Sequence, residues 1–200
     1  TISIGMMKPN KDDVIAWRGP ILDRALTQLL ADVHWGDLDY LLLDLPPGTG
    51  DIAMSLGQKV PTAEVLVVTT PQQAASEVAE RAGTMAALMN QKIIGVVENM
   101  SWLAFTAPDT GKEYRIDLFG SGGGQEAADA LSKRLGTEVP LLAQVPMDIE
   151  LRKGGDEGDP IVTAHPESPA AQAIVELAKN LDSRPRGLSG MHLGVSPTNN

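Results

Sequence analysis

The stretch DYLLLDLPPGTGD, residues 39–51, indicates the fold class of this chain. Four apolar residues lead into the carboxylate of Asp44, and two prolines and two glycines follow it closely. A buried carboxylate is costly unless a cation or a hydrogen-bond donor meets it. Prolines stiffen the turn after it, and glycines let the backbone approach a ligand. The pattern predicts a strand over YLLLDL that presents one negative charge to a ligand.

The composition is that of a globular protein and excludes several function classes. The 200 residues suit one domain, with 42% hydrophobic and 21% charged residues. A net charge of -10 argues against a nucleic-acid partner. The absence of cysteine excludes disulfides and thiolate metal ligands and suits a cytoplasmic location, and the three histidines lack metal-ligand spacing. No apolar run reaches the ~20 residues that span a bilayer.

Strand and helix patterns alternate along the chain. EVLVVTT and KIIGVVE are continuous apolar runs, typical of strands buried on both faces of a parallel sheet. Helical patterns follow WRGP, GSGGGQE and Ser168-Pro169, and another is expected to open with a capping box at Thr70 and Pro71. Residues 102–119 suggest a small hairpin. The predicted fold is α/β, an open mainly parallel sheet flanked by helices over residues 1–182, with a disordered tail at 183–200.

Ligands bind at the carboxyl ends of the strands in such sheets. The segments predicted at those ends are residues 46–50, 69–72, 98–101 and 146–148. All four are expected along one edge of the sheet. Each is rich in residues that turn the chain or form hydrogen bonds, as a nucleotide site requires.

Asp44 and Asn99 each have a structural and a functional interpretation. Asp44 could cap a helix or pair with a lysine, or it could orient water on a phosphate-bound Mg²⁺. The PPGTGD turn favours the second, because glycine N–H groups can approach phosphate closely. Asn99 could take a left-handed or capping position where a strand ends, or present its amide to a purine edge. Spacing alone favours the structural interpretation of Asn99.

Two further segments invite a ligand interpretation. GSGGGQE, residues 120–126, opens a helix and could cradle phosphate. It lacks the Lys and Ser/Thr of a P-loop, which favours a mobile turn and helix cap. The acidic run GGDEGDP lacks the residue order of an EF-hand and is predicted to be a solvated loop.

The motifs WRGP, LLLDLPPGTGD, VVTTPQ, GVVENMS, FGSGGG and VPMD follow one another along the chain. In this order the chain closely resembles the C-terminal part of the Mrp/ApbC-type iron–sulfur cluster carrier ATPases, relatives of MinD and ParA in the deviant P-loop family. The resemblance covers nearly everything but the tail. It implies ATP and Mg²⁺ as cofactors, ATP hydrolysis, a homodimer, apo iron–sulfur proteins as acceptors and a cytoplasmic location.

The resemblance also implies roles for individual residues. Asp44 would be the catalytic acid behind Mg²⁺, which it would hold through water, and the turn after it would sense the γ-phosphate. Asn99 would read the adenine edge, with Pro146 and Asp148 lining the other side of the base. The nucleotide-binding residues implied in this way are Pro46, Pro47, Gly48, Thr49, Gly50, Asn99, Pro146 and Asp148.

The first departure from the family pattern concerns the P-loop. In the family it lies upstream of the position of Thr1, and no Gly-Lys-Ser/Thr occurs in these 200 residues. We therefore expect the C-terminal portion of a domain, incomplete and inactive when expressed alone. The strand that precedes the P-loop would lie beside the one ending at Asp44. The apolar faces of YLLLDL and EVLVVTT are accordingly expected to be uncovered, with a gap or an exposed apolar groove beside residues 41–45.

The second departure concerns the cluster. Many members place a Cys-x-x-Cys after ENMS to bridge a cluster across a dimer, whereas this chain reads WLAFTAPDTGKEYRIDLFG. Without thiolates the usual cluster ligation is not possible from this chain. The alternative function is that of a MinD/ParA-like nucleotide-switched interaction protein that carries no metal cluster.

Overall fold

The computed structural model describes residues 1–3, 6, 19–45 and 51–184. They fall into two compact units that divide between Met147 and Asp148. The first unit contains helices α1 (Gly19–Ala31), α2 (Asp51–Lys59), α3 (Gln73–Leu88) and α4 (Gly123–Leu135), and strands β1 (Glu64–Thr69), β2 (Lys92–Thr106), β3 (Glu113–Ile116) and β4 (Leu141–Met147). The second contains helices α5 (Ile149–Glu157), α6 (Ile161–Ala164) and α7 (Pro169–Asp182).

The described part of the first unit is built on a mixed four-stranded sheet with β2 at its centre. The first half of β2 pairs in parallel with β1 on one side and β4 on the other. Its second half continues beyond the predicted strand end and pairs antiparallel with β3. This arrangement confirms the predicted α/β fold, the mainly parallel sheet and the hairpin within residues 102–119.

The core of the first unit lies between this sheet and helices α3 and α4. Val96 on β2 is fully buried, and so are Ala127, Ala128 and Leu131 on α4. The small alanines let α4 approach the β-branched strand residues closely. Leu131 in turn fills the space beside Gly83 of α3, where an added Cβ would lie 2.7 Å from its Cδ2 atom. Burial of these apolar groups supplies the main stabilisation of the unit.

Residues 40–45 form no strand, so the strand predicted over YLLLDL is wrong. Leu42 is 88% exposed, and Tyr40, Leu41 and Leu45 are exposed as well. A strand needs a neighbour for its backbone hydrogen bonds, and none of the described strands pairs with this segment. The exposed apolar face predicted for residues 41–45 is confirmed.

Strand β1 is buried on one face, and its other face is exposed, as predicted for EVLVVTT. Val67 and Thr69 are buried, whereas Val68 between them is 60% exposed. Side chains alternate between the two faces of a strand. The face that carries Val68 is therefore left open among the described residues.

Two local predictions about helix boundaries are also wrong. Helix α3 begins after Gln72, without a side-chain cap, so Thr70 is not part of a capping box. Instead the backbone carbonyl of Gln72 accepts hydrogen bonds from the N–H groups of Ala75 and Ser76. The acidic run GGDEGDP is largely exposed, as predicted, but its first four residues are helical and not a loop, because α5 continues to Glu157 and the left-handed Gly158 (φ 78°) ends it. Among the described residues no group of three metal-binding side chains occurs.

Helices α1 and α2 are joined through the carboxylate of Asp23. It accepts a hydrogen bond from Ser55 Oγ and forms an ion pair of 3.2 Å with Lys59 Nζ. The hydrogen bond from Ser55 and then that from Lys59 hold the pKa of Asp23 below its ordinary value of 3.8. A carboxylate whose pKa is lowered by folding stabilises the folded state at pH values above its ordinary pKa. This contribution is lost as the pH falls through the lower pKa of the folded state.

We expect Asp23→Asn to lower the melting temperature slightly near neutral pH. The difference from the wild type should shrink as the pH falls below 3.8, since both proteins then carry a neutral side chain at this position. Thermal unfolding followed by circular dichroism across this pH range measures the effect. The control is Asp32→Asn, since the Asp32 carboxylate has no partner among the described residues. A deficit that stays constant down to the lowest pH contradicts the electrostatic origin.

The second unit is helical. Its helix α7 begins as predicted, with Pro169 in the first turn and the Ser168 hydroxyl accepting a hydrogen bond of 3.2 Å from the N–H of Ala171. No helix among the described residues is both long and apolar enough to cross a membrane. Residues 185–200, most of the predicted tail, lie outside the described residues. One domain over residues 1–182 stays a prediction.

Candidate nucleotide site

The carboxyl ends of β1 and β4 lie beside the end of the parallel half of β2, at one edge of the sheet. Thr69 at the end of β1 pairs with Glu98 on β2. The next residue of β2, Asn99, pairs with Val145 on β4. Parallel strands end on the same side, so three of the four predicted strand-end segments meet at this edge. The fourth, residues 46–50, lies outside the described residues.

Asn99 is half-buried at this edge and has one amide group available. Its Oδ1 atom accepts a hydrogen bond of 2.8 Å from the N–H of Met100. Its Nδ2 group has no partner among the described residues. Met100, not Asn99, takes the left-handed conformation, with φ at 55°. The Oδ1 atom of Asn99 thus stabilises the backbone where β2 becomes irregular. Its Nδ2 group remains a free donor, the type of group that recognises a purine edge.

Glu98 lies directly before Asn99 and is almost completely buried, with 1% of its surface exposed. Its Oε2 atom accepts a hydrogen bond of 2.7 Å from the N–H of Gly124, and its Oε1 atom accepts one of 2.7 Å from Nε2 of Gln144. The backbone carbonyl of Glu98 also accepts a hydrogen bond of 3.0 Å from Ser101 Oγ. Both oxygens of the carboxylate are therefore satisfied inside the protein.

The glycine-rich segment 120–126 contains the start of α4, and its middle is closely packed. Gly122 is the N-cap of α4, and Gly123 and Gly124 after it are buried. The carbonyl of Gly123 accepts a hydrogen bond of 2.8 Å from Ser76 Oγ. Because Glu98 already occupies the N–H of Gly124, the carboxylate takes the place at the helix N-terminus that an anion would otherwise fill. This agrees with the preference for a helix cap over a phosphate cradle.

Thr70 adds an unpaired hydroxyl at the end of β1. Its Oγ1 atom is buried and has no hydrogen-bond partner among the described residues. Buried polar atoms without partners are uncommon in proteins. The hydroxyl therefore marks a polar position at the same sheet edge.

The other predicted site residues are placed differently. Asp44 is exposed, and its carboxylate has no partner among the described residues. Pro146 follows Val145 on β4 and is buried. Pro46, Pro47, Gly48, Thr49 and Gly50 lie outside the described residues. The structure thus brings Asn99 and Pro146 to neighbouring strand ends and gives no such placement for Asp44.

Asp148 belongs to the second unit, where it caps α5 and accepts a hydrogen bond from the N-cap residue of α7. Its Oδ1 atom accepts hydrogen bonds from the N–H groups of Glu150 at 2.7 Å and Leu151 at 3.3 Å, at the start of α5. Its Oδ2 atom accepts one of 2.8 Å from Ser168 Oγ, at the start of α7. A contact between Asp148 and a nucleotide base stays a prediction.

A family model described as the ParA, NUBPL iron-transfer P-loop NTPase matches residues 1–182. The chain belongs to this family. The iron-sulfur cluster carrier protein of Mycobacterium leprae is 54% identical over 197 residues, 98% of this chain and 50% of the relative. That of Saccharolobus solfataricus is 40% identical over 178 residues, 88% of this chain and 57% of the relative. The chain therefore spans about half the length of the curated relatives it matches, and the resemblance to iron–sulfur cluster carriers is confirmed.

Solved structures similar to this iron-transfer NTPase chain include nucleotide complexes. A nucleotide-binding protein from Archaeoglobus fulgidus in complex with ADP has a TM-score of 0.54 and 36% identity, over 70% of this chain and 53% of that one. The septum site-determining protein MinD from Pyrococcus horikoshii, complexed with Mg-ADP, has a TM-score of 0.56 and 27% identity, over 84% and 57%. These likenesses confirm the P-loop NTPase-like fold.

The hairpin β2–β3 occupies the region where the family resemblance implies a Cys-x-x-Cys. It is held by aromatic contacts instead. Phe105 and Tyr114 stack at 5.4 Å between ring centroids. The guanidinium of Arg115 lies 4.0 Å from the centre of the Trp102 ring, a cation–π contact. With no cysteine in the chain, this hairpin does not fit a thiolate-ligated cluster.

Glu98 is the residue that the sequence analysis missed. The signal was present, because a charged residue ends the apolar run KIIGVV, much as Asp44 ends YLLL. Burial of such a charge requires partners. Its partners are 26 and 46 residues away along the chain, so local sequence could not identify them.

Proposed function

We propose that this chain is part of an ATP-binding and ATP-hydrolysing iron–sulfur cluster carrier, in which its sheet edge binds the nucleotide base. The observation that carries the proposal is the free amide donor of Asn99, where the parallel half of β2 ends. It lies at the strand ends where open α/β sheets bind ligands. The ADP and Mg-ADP bound to the two structural relatives support a nucleotide as the ligand.

Two residues of the chain would act on the nucleotide directly. Asn99 would donate its Nδ2–H to N1 of adenine, an acceptor at the position where guanine carries an N–H, while its Oδ1 stays bonded to Met100. Asp44 has no competing cation among the described residues, so its carboxylate fits a Mg²⁺ ion held through water. Mg²⁺ bound to ATP would supply charge neutralisation on the phosphates during hydrolysis. The turn of residues 46–50 directly follows this carboxylate and would sense the γ-phosphate.

The iron–sulfur cluster would be cargo, delivered to apo iron–sulfur proteins. The names of the curated relatives support this part of the proposal. These 200 residues contain no cysteine, so they supply no thiolate ligand for the cluster. A homodimer and a cytoplasmic location complete the proposal.

We expect Asn99→Ala in the full-length protein to weaken ATP binding about tenfold and GTP binding much less, so that the preference for ATP narrows. A site that hydrogen-bonds a ligand discriminates against analogues that leave its polar groups unpaired, and a lost hydrogen bond is worth about a factor of ten. Competition binding with both nucleotides measures the effect. Equal losses for ATP and GTP would show that Asn99 is only structural.

Two variants serve as controls for this experiment. Asn99→Asp keeps the acceptor for the N–H of Met100 but removes the amide donor, so it should lose the ATP preference like the alanine variant. Asn180→Ala changes an exposed asparagine on α7 and should bind both nucleotides like the wild type.

The second candidate function is a nucleotide-switched interaction protein without a cluster, and the absence of cysteine favours it. Iron and sulfide analysis of the full-length protein after anaerobic reconstitution discriminates between the two. Stoichiometric iron and sulfide support the carrier. Their absence, together with ATP-dependent self-association, supports the interaction protein.

A further inference from the structure

The carboxylate of Glu98 is an unusual feature of the sheet edge, because it is buried without a cation. Its two hydrogen bonds come from neutral donors, the N–H of Gly124 and the side-chain amide of Gln144. No ion pair to Glu98 exists among the described residues. A buried charge is tolerated only where hydrogen bonds and dipoles compensate it. Gly124 lies in the first turn of α4, so the helix dipole adds to the compensation.

This one side chain connects three elements. Glu98 is on β2, Gln144 is on β4, and Gly124 is on α4. The parallel ladder between β2 and β4 is regular from Val97 to Asn99 and then shifts register before the next pair, Leu103 with Met147. Backbone pairing therefore does not hold β2 against β4 just after Asn99. The link from Glu98 to Gln144 ties the two strands at a paired position, one residue before the last regular pair, Asn99 with Val145.

The irregular segment of β2 after Glu98 holds a strained conformation. Met100 is not a glycine, yet its φ angle is 55°, a conformation that costs energy in the absence of surrounding contacts. Ser101 is buried and donates a hydrogen bond back to the carbonyl of Glu98. The backbone from Glu98 to Ser101 is thus held at both ends, and the amide of Asn99 projects from its middle.

We propose that Glu98 is a positioning residue for the nucleotide base: through Gly124 and Gln144 it fixes the irregular segment 98–101 of β2 that directs the Asn99 amide. The proposal rests on the proposed nucleotide function. Loss of the network would let this segment relax and misdirect Asn99. Affinity for the base would fall, whereas affinity for the phosphates, which Asn99 does not contact in this scheme, would stay.

Three variants of the full-length protein test this role. Glu98→Ala removes both hydrogen bonds. Gln144→Leu removes only one, and because Gln144 is exposed this variant should fold even if the first does not. Glu98→Gln is the conservative variant, since its oxygen can accept from Gly124 while its amide donates to the rotated amide of Gln144.

Binding of ATP, GTP and inorganic tripolyphosphate is the first readout. Glu98→Ala and Gln144→Leu should each weaken ATP binding about tenfold, the effect of losing the one hydrogen bond from Asn99 to the base. The preference for ATP over GTP should narrow as a result. Tripolyphosphate binding should be unchanged, and Glu98→Gln should restore the ATP preference. Equal losses for ATP and tripolyphosphate would show a merely structural role, and unchanged ATP binding in both variants would also overturn the proposal.

Hydrogen exchange of residues 99–103 without nucleotide is the second readout. It should become faster in Gln144→Leu and stay near the wild-type rate in Glu98→Gln. Unchanged exchange in Gln144→Leu would overturn the proposal, whatever the nucleotide results. If the wild type itself does not distinguish ATP from GTP, the base-binding function fails and the positioning role with it. If only the positioning role of Glu98 fails, the wild type still prefers ATP over GTP, and Asn99→Asp still loses that preference.

Discussion

Replacement of Asp44 by asparagine in the full-length protein is expected to lower ATP turnover by about 10²-fold or more. The substitution keeps the shape of the side chain but removes the charge that would orient the water shell of Mg²⁺. The metal ion and its ligands stabilise the negative charge on the phosphoryl group in the transition state. Steady-state phosphate release at saturating Mg²⁺ and ATP measures the effect. Unchanged turnover would eliminate the role proposed for Asp44.

The matched control is Asp37→Asn. Asp37 is also exposed, is also without a partner among the described residues, and lies seven positions earlier in the same segment. The Asp37→Asn substitution removes the same charge from the same region. ATP turnover should stay within about twofold of the wild type, as expected for an exposed surface position. A similar loss in both variants would point to the net charge of the segment and not to Asp44.

Gly123→Ala is expected to produce the largest loss of stability. A Cβ atom at this position would lie 2.4 Å from the carbonyl oxygen of Pro71 and 2.8 Å from Ser76 Oγ. The first is a backbone atom, so α4 or the β1–α3 connection must move. Overpacking of this kind costs about 3 kcal/mol. In a protein of this size the melting temperature should fall by about 6–12 °C.

Gly155→Ala is the control for the glycine experiment. Gly155 lies inside helix α5, and a Cβ atom there would have no neighbour within 4 Å. Alanine is favoured over glycine in helices by about 1 kcal/mol, so this variant should melt at or above the wild-type temperature. Differential scanning calorimetry of both variants provides the comparison. Equal melting temperatures for the two variants would contradict the close packing of α4.

Much of the fold was predictable because it depends on local patterns. The apolar run of β1 and the helical spacing of α3 and α4 each involve residues a few positions apart. Ser168 and Pro169 placed the start of α7 correctly for the same reason, since a helix cap involves only the next three residues. The order of motifs identified the family, and Asn99 was found as a candidate by resemblance.

The failures share a different physical cause. YLLLDL has the composition of a strand, but a strand forms only when another strand accepts its hydrogen bonds, and none of the described strands does so. Thr70 and Gln73 match a capping box in sequence, yet the chain enters α3 at Gln72. In both cases the local sequence matched the pattern, but the conformation depended on contacts with other parts of the protein.

The sequence by itself determined the α/β class, the family and two candidate residues, Asp44 and Asn99. Only the tertiary structure decided that Glu98 is buried against Gly124 and Gln144, which are 26 and 46 residues away. It also decided that Gly123 packs closely against Pro71 and Ser76, where an added Cβ atom has no room. The physical reason is that periodicity reports which face of an element is apolar, whereas hydrogen bonds between distant residues depend on how the elements pack.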